Sequence, residues 1–171
     1  MANFGTPPIL VAGTTSTVDT APQFQVGQRA RDNSGNEYVY VSGVTSCVAG
    51  SWVTINGGTH AITLSVSGDS GALGVAMAAI NAATSYGWVQ VFGTNTIALA
   101  SSDGTIVSGG GQLQLNASGK VAAQGTSTGS AAGDYIFGAY AYSGQPTSSV
   151  DTFTVYLNFP HTAQAAAVAS S

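Results

Sequence analysis

Apolar and polar residues alternate with period two through most of the chain, and Gly, Asn or Asp breaks the alternation every eight to twelve residues. That pattern predicts β-strands with one face toward a core. In the run 153–159, Phe153, Val155, Leu157 and Phe159 fall on one face, while Thr154, Tyr156 and Asn158 fall on the other. Pro160 is expected to end that strand, because proline has no N–H to donate to a ladder. Ile62, Leu64 and Val66 oppose Thr63 and Ser65 in the same way, and Leu113 and Leu115 oppose Gln112, Gln114 and Asn116; each reads as half-buried. Further strands are predicted at 37–41, 52–55, 86–92, 96–100, 120–123 and 135–142.

Turn chemistry separates these runs. Asn116-Ala117-Ser118-Gly119 reads as a hairpin loop with Gly119 at positive φ, and Asp103-Gly104 and Gly93-Thr94-Asn95 read as further turns. The stretch 73–84 mixes helix-forming alanines with Gly74 and Val75, and a short strand leading into a loop or a single helical turn is expected. The fold class that follows is all-β, a small β-barrel or β-sandwich.

Outside this pattern lie two ends. Residues 1–22 are rich in Pro, Thr and Ala without a sustained period, and Pro7-Pro8 imposes extended backbone, so they read as an extended N-terminal arm. Residues 23–160 form the β-rich domain, and 161–171, mostly small residues, read as a flexible C-terminal tail.

Composition changes the picture more than any motif does. Only ten of 171 residues are charged, three basic and seven acidic, while Gly, Ala, Ser and Thr fill 88 positions. A compact monomer of this mass exposes roughly 7,700 Å², about one charge per 770 Å². Such a surface suits burial against neighbours. Edge strands point the same way, since one lysine, Lys120, cannot guard every open edge. A net charge of −4, with Arg29, Arg31 and Lys120 the only Lys or Arg residues, supplies no phosphate-neutralising patch and argues against nucleic-acid binding. The run Ile9-Leu10-Val11-Ala12 is too short for a signal segment, and no stretch nears the roughly 20 apolar residues of a membrane span. Synthesis in a cytoplasm without membrane insertion is expected.

Each candidate chemical motif has a simpler reading. Gly68-Asp69-Ser70-Gly71 matches the tetrapeptide around a serine-protease nucleophile, but a triad needs a converging base and carboxylate, and a turn explains these residues. His60, His161 and the single Cys47 do not form a zinc cluster at ligand spacing, although a metal shared across a symmetry axis stays open. Cys47 reads as a small buried hydrophobe. Asp19, Asp32, Glu37, Asp69, Asp103, Asp134 and Asp151 are scattered singly and read mainly as turn formers. Gly109-Gly110-Gly111 precedes a strand, so it is no phosphate cradle, and the sequon Asn116-Ala117-Ser118 falls in a hairpin. Tyr86, Trp88, Tyr135, Phe137, Tyr140 and Tyr142 are expected mainly as cross-strand core pairs, with a sugar-binding surface as the alternative. No cofactor and no catalytic residue is expected.

Two blocks carry a resemblance. The first is Gly27-Gln28-Arg29-Ala30-Arg31-Asp32-Asn33-Ser34-Gly35-Asn36-Glu37-Tyr38-Val39-Tyr40-Val41, leading to Ala49-Gly50-Ser51-Trp52-Val53-Thr54-Ile55. The second is Leu73-Gly74-Val75-Ala76, followed by Tyr86-Gly87-Trp88-Val89-Gln90-Val91-Phe92-Gly93. In this order, across residues 25–145, they resemble small structural proteins of tailed bacteriophage virions, most of all the capsid decoration, or cement, proteins. The resemblance implies a non-enzymatic protein on the capsid exterior that binds the major capsid protein, associates with itself as a homotrimer and stabilises the shell. It implies no nucleic-acid or membrane partner. The arm would supply contacts through Phe4, Pro7, Pro8, Ile9, Leu10 and Val11, and a head-fibre or tail protein with a receptor- or carbohydrate-binding role is the alternative.

Overall fold

Alternating side chains and turn glycines do produce strands: the computed structural model is all-β, with ten strands, one short 3-10 turn and no α-helix among the described residues. It describes residues 14–101, 106, 109, 111–116, 118–123, 135–143 and 152–162. The strands are β1 (Arg29–Arg31), β2 (Glu37–Ser42), β3 (Trp52–Ile55), β4 (Ile62–Leu64), β5 (Gly71–Ala76) and β6 (Tyr86–Leu99), then β7 (Gln112–Leu115), β8 (Val121–Ala123), β9 (Tyr135–Ala141) and β10 (Thr152–Thr162). No helix among these residues is long and apolar enough to cross a membrane.

All named pairings are antiparallel, in the order β1-β2-β6-β5-β10-β9-β7-β8, with β3 and β4 branching from β5. Two long strands change partners along their length. The first half of β6 pairs with β2, and its second half with β10. β10 pairs with β6 through Asn158, then with β5 at His161 and Thr162. Strands that switch partners at a bend make the corners of a sandwich or barrel, and this is the all-β sandwich or barrel-like fold that the alternation predicts.

The corner in β6 lies where a hairpin is expected. Gly93-Thr94-Asn95 does not reverse the chain; β6 runs through it as one strand of 14 residues. Gly93 takes φ of 95°, and a Cβ there would lie 2.0 Å from Asn36 Oδ1. Gln90, fully buried, donates its side-chain amide to the carbonyls of Phe92 and Thr94 at 3.1 Å each. Asn95 donates to Gln90 Oε1 at 2.9 Å. A bend frees backbone carbonyls from the ladder, and a buried carbonyl must find another donor.

Among the described residues three apolar clusters fill the interior. The largest packs Trp52, Leu73 and Val75 of β3 and β5 against Phe153, Val155 and Leu157 of β10, with Leu113, Leu115 and Ile136 alongside. A second joins Val39, Val41, Val89 and Val91 to Val53, Ile55 and Cys47. The third holds Tyr38, Tyr40 and Trp88, covered by Phe24 and Val26. Strand β2 is therefore buried on both faces rather than one.

Within the segment expected as an arm, Asp19 is hydrogen-bonded to residues of this third cluster. Asp19 exchanges both backbone hydrogen bonds with Tyr86, at 2.9 and 2.8 Å, and its carboxylate accepts the Tyr40 hydroxyl. The Phe24 ring lies 5.1 Å from Trp88. At the other end β10 does not stop at Pro160 but continues through His161 to Thr162. The hairpin between β7 and β8 forms as expected, with Gly119 at φ of 74°. Two alternations fail. β4 ends at Leu64, so Val66 is exposed and Ser65 buried, and Gln114 is buried opposite the leucines of β7.

Candidate functional site: an exposed aromatic face on β9 and β10

Of the aromatics at 135–142, expected mainly in the core, Phe137, Tyr140 and Tyr142 are outside and Tyr135 is half-buried. Tyr142 is 75% exposed, Tyr140 51% and Phe137 45%, whereas Ile136, Ala139 and Ala141 are buried. On β10, Tyr156 and Phe159 are exposed as well, although period two places Phe159 inside with Leu157. Trp88 alone of the six is fully buried, and Tyr86 packs against its cluster.

Paired bulges cause the displacement. Phe137 and Tyr140 are three residues apart, as are Tyr156 and Phe159, so a regular strand would send the members of each pair to opposite faces. An extra residue inserted in a strand resets the phase. In β9 the reset comes at Gly138, with φ of 73°, and a Cβ there would meet the Asn158 carbonyl at 2.4 Å. In β10 it comes at Phe159, with φ of 49°, where the register with β9 shifts between Leu157 and His161. Pro160 sits inside the irregularity and is buried, which is how the strand passes through a residue without a donor.

The resulting surface is continuous. Tyr140 and Tyr156 are cross-strand partners. Phe92 of β6 meets Tyr156 edge-on at 5.9 Å and Phe159 at 5.4 Å, and Phe137 stacks on His161 at 5.6 Å. Arg29 places its guanidinium carbon 5.5 Å from the Phe159 ring centre. Rings on a sheet surface offer large contact area at little entropic cost, each with a polar tip or edge.

Of the residues singled out from sequence, Phe4, Pro7, Pro8, Ile9, Leu10 and Val11 lie outside the described residues. Asp69 is a turn residue: its carboxylate accepts the Val66 N–H at 3.1 Å and the Thr54 hydroxyl at 3.2 Å. Asp32 is another, accepting from Ser34, Asn36 and Tyr38 between β1 and β2. Burial raises the Asp32 carboxyl, but those donors outweigh it and hold the group below its ordinary value. Glu37 instead pairs with Arg31 across strands, and Asp19 closes a tertiary contact. Asp103, Asp134 and Asp151 lie outside the described residues. Cys47 is buried, and desolvation pushes its thiol up to about 11. Among the described residues no group of three or more His, Cys, Asp or Glu could hold a metal ion. His60 and His161, distant in sequence, line one cavity beside the aromatic face, together with Arg29.

No family model, curated protein or solved structure matches this chain.

Proposed function

We propose that this chain is a bacteriophage capsid decoration protein, which binds the major capsid protein on the head exterior as a homotrimer and stabilises the shell. The observation that carries the reading is an aromatic face left open to solvent in a chain with only ten charged residues. A face of five exposed rings belongs against a partner. The ordered strand blocks that resemble decoration proteins add to it. Three copies held at equivalent points would turn modest single contacts into durable attachment. The protein is made in the host cytoplasm and ends on the virion.

Purified protein mixed with expanded and unexpanded shells tests this, with saturable binding to the expanded form and release of trimers on dissociation expected. Absence of saturable binding to both forms overturns it. A second reading, a head-fibre or tail protein with a receptor- or carbohydrate-binding role, is favoured by one specific feature: outward aromatic rings such as Tyr140 and Tyr142 are the groups that stack on sugars. Retention on glycans without shell binding would select that reading.

A further inference from the structure

Beside the aromatic face a cavity of about 290 Å³ is walled by the aliphatic side chains of Val39, Ile55, Leu73 and Val91, and by Arg29, His60 and His161. The chain has three Lys or Arg residues and two histidines. Three of those five side chains meet at this one cavity. None of the seven acidic residues lines it among the described residues. In a protein of net charge −4 that is a local inversion of sign.

The donors are also left without acidic partners. Among the described residues the one ion pair is Arg31–Glu37, and the contact recorded for the Arg29 guanidinium is the Phe159 ring. The His60 ring has no hydrogen-bond partner among them and is held by shape: a Cβ on Gly27 would come within 2.6 Å of the imidazole. His161 Nδ1 donates to the Phe159 carbonyl at 3.3 Å, which leaves Nε2 for a ligand. Backbone strain gathers here too. Of four non-glycine residues with positive φ among the described residues, His60 at 54° and Phe159 at 49° both line the cavity. Phe159 precedes a proline, a position that ordinarily stays extended. Strained residues persist where surrounding structure over-determines them, often at ligand sites.

We infer that this cavity binds a single carboxylate carried on a compact body with an apolar face. The guanidinium fork is the one fixed positive charge in the wall and matches one carboxylate through paired charge-assisted hydrogen bonds. A phosphate monoester, carrying about −1.5 to −2, would be under-compensated. The aliphatic wall takes the apolar face, and the imidazole edges take a hydroxyl or the second carboxylate oxygen. An aromatic acid and a sugar acid share this chemistry. The cavity is near the lower end of small-molecule sites, roughly 300 Å³.

Titration of the full chain with phenylacetate and with methyl glucuronoside, followed by the ring signals of His60 and His161 in NMR, tests the assignment. Phenylacetamide, methyl glucoside and inorganic phosphate serve as counterparts. Saturable movement of both rings with at least one acid is expected, and the acid that binds more tightly identifies the source. The uncharged analogue should bind at least tenfold more weakly. Arg29→Gln should weaken the acid at least tenfold, while Arg31→Gln, on the same strand but outside the cavity wall, leaves it unchanged. Failure of both acids to move the rings overturns the inference, as does equal binding of the uncharged analogue or of phosphate, or an Arg29→Gln variant that is folded by circular dichroism and binds normally. None of these readouts involves a shell, so the outcome is separate from that of the decoration reading.

Discussion

Asn36 and Thr94 meet across 58 residues of sequence: the Asn36 side-chain oxygen accepts the Thr94 N–H at 3.1 Å, against the face of Gly93. The contact ties the β1–β2 turn to the corner of β6. Gly93→Ala would strike that oxygen and must also hold φ of 95°, so a loss of about 2 kcal/mol or more is expected. Asn36→Ala keeps the backbone and should lose about 1–2 kcal/mol. Urea denaturation of both variants checks the order; a Gly93→Ala protein as stable as the parent would contradict the corner geometry.

The same corner depends on Gln90. Its buried amide serves the carbonyls of Phe92 and Thr94 at the corner, and its oxygen accepts from the buried Asn95. Gln90→Leu fits the volume but leaves those groups unpaired, and a loss of about 2–4 kcal/mol is expected. Chemical denaturation reads it directly. A Leu variant within about 0.5 kcal/mol of the parent would show that the polar cluster is dispensable.

Stability should fall at both ends of the pH range, through different groups. The Asp32 carboxyl lies below its ordinary 3.8 in the fold, so its contribution is present above that value and is lost as pH falls through the lowered one. Asp32→Ala should flatten this acid limb and cost about 1 kcal/mol at neutral pH, the site being partly open to water. On the alkaline side burial, with the Asp19 carboxylate second, raises Tyr40 from 10.0 to about 12, and burial raises Cys47 from 9.0 to about 11. A raised value means the folded form holds its proton longer. The contributions of Tyr40 and Cys47 are therefore complete below pH 9 and decline as pH climbs through about 11 and 12. Urea midpoints across pH 8 to 12 test this, and Cys47→Ala should shallow the early part of the decline.

Much of the fold was legible because local pattern and packing agree where strands are regular. Phe153, Val155 and Leu157 alternate into the core as period two requires, and Gly119 turns the β7–β8 hairpin. The alternation misleads where phase is set by a partner. Phe159 is outside because a bulge beside Gly138 and Asn158 resets β10, and nothing within 153–159 encodes that neighbour. Gly93-Thr94-Asn95 has hairpin composition, yet Asn36 and Gln90, each outside the turn, make it a bend. The aromatic face reads only as the second alternative in the sequence for the same reason. Tyr140 and Phe137 share it only after the reset, and their type alone reads equally well as core. The signal that was present is spacing: two aromatics three apart around a glycine in a strand.

That face yields a prediction that separates surface from core. Tyr140 and Tyr156 are cross-strand partners whose rings are open to solvent, so replacing both by Ser removes contact area without opening a cavity. The double variant should stay within about 1 kcal/mol of the parent in stability. If the face is the attachment surface, its affinity for expanded shells should fall at least tenfold, because central aromatic contacts dominate interface energy. Phe153→Ala supplies the contrast. Its side chain is buried among Val155 and Leu157, so it should cost about 3–5 kcal/mol and lower attachment only through unfolding. Sedimentation with shells, beside denaturation of each free variant, distinguishes the two. Full attachment by the Tyr140 and Tyr156 double variant would move the shell-binding surface away from β9 and β10.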